Sequence, residues 1–170
     1  MTDISEYKLG ETSAEISLES SDDNRNVAIA LARQAKRSID IFTHDLDKRI
    51  FDDKDFVEAV KYLVIGHSRA QLRIIIQDSS RVTKQGHRLY NLGQEITSKI
   101  KFHKPDDEFM NTNDTYVLVD GTGLLLRRQH ERYKGIANFN DPKRARELQA
   151  QFERAWEGSE PDPHLRRLSI

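Results

Sequence analysis

Asn113, Thr115, Asp120, Asn138, Arg127 and Arg128 are the residues of this chain whose types and spacing could do chemistry. Asn113, Thr115 and Asp120 bracket the apolar run Tyr116-Val117-Leu118-Val119, which ends in the turn pair Asp120-Gly121, so a strand would carry them. Amide, hydroxyl, carboxylate and guanidinium groups around one pocket could hold a polar or phosphorylated ligand by hydrogen bonds. They are poor tools for attacking one. The amide nitrogen of Asn113 has its lone pair delocalised into the carbonyl and is no nucleophile. Thr115 offers a neutral hydroxyl, which can hydrogen-bond a phosphate but cannot neutralise it. The plainer alternative makes Asp120 the cap of a hairpin turn and leaves Asn113 in a loop, because Asp-Gly is an ordinary turn signal. Asp106, Asp107, Glu108 and Asp114 crowd the approach, so phosphate would be repelled unless Arg127 or Arg128 points inward.

Other clusters compete for attention. His44, Asp45 and Asp47, with Asp52 and Asp53 near, have the ligand types for a hard cation or an imidazole-bound metal, but no second histidine lies at helical spacing and solvated acids entering a helix explain them. Neither metal nor cofactor is expected. His87 and His103 read as structural or exposed. A basic stretch holds Arg127, Arg128, Arg132, Lys134, Lys143, Arg144 and Arg146, either a solvated face or a local footprint for nucleic acid or a phosphorylated small molecule. Aromatic residues do not alternate with these cations as on a single-strand stacking platform.

The bulk properties bound the answer. A length of 170 residues suits one domain with its own core. The 27 Lys plus Arg nearly cancel the 28 Asp plus Glu, so no global field draws the protein to nucleic acid or an anionic membrane. The absence of cysteine excludes disulfides, thiolate nucleophiles and zinc–sulfur sites. The acidic start resembles no secretory signal and no run is long enough to span a bilayer, so the expected location is cytoplasmic. Residues 1–23 form an acidic segment, either a tail or an edge strand through Ile16 and Leu18. Residues 24–157 form the α/β domain, and 158–170, opened by Gly158-Ser159-Glu160-Pro161-Asp162-Pro163, a polar tail.

Within the domain the periodicities predict a helix capped near Asp23 or Asn24 that buries Ala28, Leu31, Ala32 and Ala35, then a strand at Ile39, Ile41 and Phe42. Asp52 or Asp53 caps a second helix burying Phe56, Val60, Leu63 and Val64, which Gly66 stops. Leu72–Gln77, with three consecutive isoleucines, is a strand buried on both faces. A third helix carries Leu89, Leu92 and Ile96 and leads to a short strand over 99–103. The hairpin 115–120 and 123–128 follows, turning at Gly121-Thr122. Asp141 caps a last helix with Pro142 in its first position and Ala145, Leu148, Phe152 and Trp156 along one side. Two strand-helix-strand crossovers and one hairpin predict a mixed, mostly parallel sheet flanked by helices on both faces.

This layout resembles one repeat of the phospholipase D superfamily, whose signature is His-x-Lys, four residues, then Asp-Gly at the end of a sheet strand. Asp120-Gly121 matches the last element, and counting back seven and five residues lands on Asn113 and Thr115. The Ile39–Phe42 strand and the Arg69–Asp78 segment are also similar to the family's, and Gly135-Ile136-Ala137-Asn138 resembles its Gly-Ser-x-Asn element with isoleucine for serine. The resemblance covers roughly residues 27–156 and implies a phosphohistidine mechanism with a second histidine as acid and lysines on the phosphate. Neither motif histidine nor motif lysine is present: no His-x-Lys occurs, and the internal His-x-Arg variants at His67 and His130 place Ile74 and Ala137 where aspartate belongs. Two function classes stay open. One is a non-catalytic domain for binding, sensing or scaffolding, for which the resemblance implies a homodimer with Asn113 and Asp120 near its axis. The other is a divergent phosphodiesterase or nuclease whose base has moved to His103 or His130. A third possibility is that Arg132-x-x-Gly135-x-Ala137 forms the pyrophosphate loop of acetyl-CoA-dependent acetyltransferases, which would have to open directly into a helix. Here Asp141-Pro142 starts the helix several residues late.

Overall fold

In the computed structural model, which describes residues 3–166, an eight-stranded sheet runs through the molecule in the order β1-β7-β6-β5-β2-β3-β4-β8. The elements in chain order are β1 (Ile16–Leu18), α1 (Ser21–Gln34), β2 (Ser38–Thr43), α2 (Lys48–Phe51), α3 (Lys54–Gly66), β3 (Gln71–Ile76), α4 (Ser80–Gln85), α5 (Arg88–Glu95) and β4 (Ile100–Lys104). They continue with β5 (Thr115–Val119), β6 (Gly123–Arg127), β7 (Gly135–Asn138), α6 (Pro142–Glu157), β8 (Glu160–Pro161) and α7 (Pro163–Arg166).

Each central strand sends alternate side chains to opposite faces, and both faces are apolar. Ile39, Ile41, Ile74, Val117 and Leu125 meet α1, α3 and α5 on one side, while Phe42, Ile75, Tyr116, Leu118 and Leu124 meet α6 on the other. Helices therefore flank both faces, as the sequence predicts, and this explains why Ile74-Ile75-Ile76 are all buried. Helix α6 begins as expected, with Asp141 accepting from the Arg144 amide and Pro142 in the first turn, and buries Ala145, Leu148 and Phe152.

The expected balance of strand directions is corrected. Only β2–β3 and β3–β4 are parallel; the other five pairings are antiparallel, so the sheet is mixed but mostly antiparallel. The connection from β4 crosses back to the free side of β2, where β5 enters antiparallel and opens a meander through β6 and β7. Residues 135–138 are themselves a strand, which the sequence reading did not include. The turn of the β5–β6 hairpin lies at Asp120-Gly121 and not Gly121-Thr122: these two have φ of 53° and 68°, and the Thr122 amide donates to the Val119 carbonyl. Positive φ at both central positions is what a type I′ turn demands.

Several boundaries also move. Helix α1 is capped by Ser20 in a reciprocal capping box with Asp23, three residues before the expected start. The third predicted helix is α5, with Ile96 at its C-cap, and a further short helix that was not expected, α4, precedes it across Gly86 with φ of 75°. Buried His87 caps α5, its Nδ1 accepting from the Leu89 amide while its Nε2 faces the Leu46 carbonyl; burial pushes its pKa down to about 4 and keeps it neutral. Of the acidic start, Ile16–Leu18 form an edge strand antiparallel to β7. The expected polar tail is corrected for its described part. Glu160-Pro161 pair with β4, Asp162 is buried, and Leu165 enters the core with its carbonyl accepting from Tyr90. Proline is tolerated there because β8 is an edge strand, and Leu165 supplies the apolar anchor. Residues 167–170, the rest of that predicted tail, lie outside the described residues.

Candidate binding site

The six candidate residues divide between opposite ends of the sheet. Strand β5 runs antiparallel to β2, so its first residue lies beside the carboxyl ends of the parallel strands and its last beside their amino ends. Asp120 is thus five residues from Thr115, roughly 17 Å along an extended strand.

Asp120 holds the amino end. Its carboxylate accepts from the backbone amides of Lys36 (2.9 Å), Arg37 (2.8 Å) and Ser38 (3.0 Å), and its own carbonyl accepts from the Arg37 guanidinium at 2.8 Å. These bonds fix the entry of β2 after α1 and occupy three acceptor sites of the carboxylate. Asn138 is at the same end, its side-chain oxygen accepting from the Asn140 amide. The expected single pocket containing Asn113, Thr115, Asp120 and Asn138 is therefore corrected, and so is the placement of Asn113 and Asp120 at one axis.

The carboxyl edge holds the other four. Thr115 is buried directly opposite Arg127 on β6. Arg127 is also buried, donating to the carbonyls of Arg132 and His130 at 2.9 Å each and lying over the Tyr133 ring. Burial pulls its pKa below the ordinary value, with Asp47 opposing. Arg127 therefore braces the 128–134 loop from inside and is not available to ligand, which corrects its candidacy. Asn113 is exposed, and its carbonyl accepts from the His130 amide at 2.8 Å. Arg128 points outward and pairs with Asp114 at 3.3 Å.

Beside Asn113 the fold assembles two histidines 86 positions apart, His44 after β2 and His130 after β6, with rings stacked at 4.2 Å and 15°. Gln77 donates through its amide nitrogen to the carbonyls of Phe109 and Thr112, so its oxygen faces His44 Nδ1 at 3.2 Å. That oxygen can only accept, which places a proton on Nδ1. Burial, followed by the charge of His44, lowers the pKa of His130. A nucleophile and a leaving-group acid must stand on opposite sides of phosphorus, and two rings stacked face to face leave no space for a phosphoryl group between them. The nearby cations are also neutralised: Arg81 pairs with Asp45 at 3.2 Å, and Arg128 with Asp114. Asp47 caps α2 and accepts from the Tyr133 hydroxyl at 2.6 Å. His103 stands apart on β4, stacked on Trp156 at 3.7 Å with Nδ1 against the Ser159 hydroxyl; burial pushes its pKa down to about 4.

Available positive charge collects next to this edge. The basic stretch folds into a groove of about 460 Å³ with Leu126 and Ile136 beneath and Arg128, Arg132, Lys134 and Arg144 around it. Arg128 and Arg144 are paired, the latter with Glu15 at 3.2 Å. Arg132 and Lys134 form no ion pair among the described residues. The acetyltransferase comparison fails here on geometry, because the backbone of residues 135–138 is committed to the ladders with β1 and β6 and opens no helix.

The fold is phospholipase D-like, as its likeness to solved structures shows. Nuc from Salmonella typhimurium, a phospholipase D family member, superposes with a TM-score of 0.58 at 17% identity, covering 87% of this chain and 98% of its own. NucT from Helicobacter pylori gives 0.61 at 13% identity with the same coverage. TrmBL2, an archaeal chromatin protein described as showing a novel mode of DNA binding, gives 0.66 at 11% identity over 95% of this chain, which spans 57% of the TrmBL2 chain. Residues 20–168 match the family model described as Domain of unknown function (DUF7931), and the chain belongs to that family. No curated protein matches the sequence. No helix among the described residues is long and apolar enough to cross a membrane.

Proposed function

We propose that this chain is a non-catalytic phospholipase D-like domain that binds a phosphate-bearing ligand, nucleic acid foremost, through the groove of Arg128, Arg132, Lys134 and Arg144. One observation carries the reading. The edge that would hold nucleophile and cation presents Asn113 and buried Thr115, while the adjacent groove keeps Arg132 and Lys134 free of carboxylate partners among the described residues. The likeness to TrmBL2 supports nucleic acid over a small phosphorylated molecule. A homodimer paired across the Asn113 edge belongs to the same reading, implied by the superfamily resemblance; sedimentation equilibrium should return twice 19.7 kDa, and a monomer would remove it.

The test is DNA binding by fluorescence anisotropy across a salt series, comparing wild type with Arg132→Ala/Lys134→Ala. Each lost phosphate contact lowers the slope of log affinity against log salt by about 1, so the double variant should bind more weakly with a slope smaller by about 2. Affinity and slope equal to wild type would refute the groove as the phosphate site.

A second reading is a phosphodiesterase whose base is His44 or His130, because the fold brings both rings to the Asn113 edge and holds Nδ1 of His44 against Gln77. Hydrolysis lost in His44→Ala or His130→Ala would favour it.

A further inference from the structure

At the opposite end of the sheet the ends of α1 and α3 and the turn after Lys8 enclose an open groove of about 700 Å³. Lys8, Arg33, Lys36 and Arg37 line it with His67, and the Tyr62 ring stands at its border. Two acids also line it. Asp120 keeps its charge while accepting from three backbone amides, so four full cations face two carboxylates, Glu11 and Asp120, and the groove is left net positive.

Helix ends account for only part of this charge: Arg33 lies in the last turn of α1 and complements that carboxyl end, which leaves the other cations over. A helix carboxyl end carries about half a negative charge, and that of α3 is already answered by Lys99, whose ammonium donates to the carbonyls of Val64 (2.7 Å) and His67 (3.2 Å). Arg33 reaches Asp55 only at 3.9 Å, between exposed side chains, and Arg37 bonds to a carbonyl and not to a carboxylate. The ammonium groups of Lys8 and Lys36 have no ion pair among the described residues. Beside this charge lie the exposed large hydrophobic residues of the described chain, Tyr62 at 75% and Ile65 at 62%, both on α3.

We infer that this groove is a second polyanion site that takes single-stranded nucleic acid, with Lys8, Arg33, Lys36 and Arg37 on the phosphates and Tyr62 stacking a base. Cations along an open channel recognise a sugar-phosphate backbone without reading sequence, and an exposed aromatic ring gives a base a face to stack on. An acidic protein segment would use the cations but has little use for the ring, so Tyr62 separates the two partners. The site uses none of the residues of the Arg132–Lys134 groove and stands or falls independently of it.

The experiment measures binding of a fluorescently labelled oligothymidine, roughly 16 nucleotides long, to the full chain in the Arg132→Ala/Lys134→Ala background, with folding of each variant checked by thermal melting. Binding is expected to persist in this background. Lys8→Ala/Lys36→Ala should then reduce the salt slope by roughly 0.7 for each lysine. Tyr62→Ala, on the helix surface, should weaken binding by roughly five- to a hundredfold. Complete loss of binding in the background would overturn the second site while leaving the first groove intact. Persistent binding insensitive to Lys8, Lys36 and Tyr62 would overturn it too. Dependence on the lysines without dependence on Tyr62 would overturn the stacked single strand as occupant and leave a site that holds phosphate by charge alone.

Discussion

Replacing Arg73 with methionine is expected to destabilise the fold by about 3–5 kcal/mol, because it strands a buried carboxylate. Arg73 stands beside Asp40 in the parallel register of β3 and β2, and its guanidinium holds Asp40 at 2.8 and 3.1 Å and Glu153 of α6 at 2.8 and 2.6 Å. The same guanidinium lies over the rings of Phe152 and Trp156 at 5.0 and 5.3 Å. Asp40 is only 2% exposed, and without Arg73 it would retain a single hydrogen bond, from Gln149. Glu153 is partly solvated and loses less. The double variant Asp40→Leu/Arg73→Met should recover most of the loss, since a well-packed apolar pair can replace a buried ion pair. Urea denaturation of the two variants checks this, and a single variant close to wild type would contradict the account. A pH signature accompanies it. The hydrogen bonds from Arg73 hold the Glu153 carboxyl below its ordinary value, whereas the guanidinium itself is raised, chiefly by Glu153. The stability from Glu153 is therefore fully present above the ordinary carboxylate pKa of about 4.3 and is lost as pH falls through the lowered folded value. Arg73→Met should remove that part of the acid sensitivity.

Asp120→Ala comes next, with an expected loss of about 3 kcal/mol. Three backbone amides lose a charged acceptor, each such bond contributing about 1.5–3 kcal/mol, discounted here because the site is partly open to water. Alanine at φ of 53° adds about 1–2 kcal/mol of strain, which asparagine largely avoids. Asp120→Asn should accordingly lose less than Asp120→Ala in the same denaturation experiment, while DNA binding by the Arg132–Lys134 groove stays unchanged in both. Lost binding with unchanged stability would return Asp120 to a ligand pocket.

Asp120 also shows where the sequence could be read and where it could not. Its strand, its turn and its alignment with the superfamily motif follow from local pattern: four apolar residues, then Asp-Gly. Its role depends on amides 82 to 84 positions earlier, and no local pattern announces such partners. The same holds for Arg127. It reads as one cation in a basic stretch, but the β6 register turns it inward against Thr115 while Arg132 and Lys134 stay outside. Helices and central strands were legible because burial on one or both faces writes a period into the sequence, as in Phe56, Val60, Leu63 and Val64 or in the three isoleucines of β3. Short edge pieces such as β7 and β8 carry no such period, and their pairing is decided by what the sheet leaves open. The stacked His44–His130 pair left no signal either, since neither histidine has a neighbour in sequence that predicts the other.

That the domain binds through its basic groove without cutting at the Asn113 edge can be checked by turnover of a chromogenic phosphodiester by the purified chain beside its His44→Ala and His130→Ala variants. The expected result is no hydrolysis above the level shared by all three proteins. Turnover by the wild type that disappears in either histidine variant would contradict it and establish a phosphodiesterase built on displaced histidines.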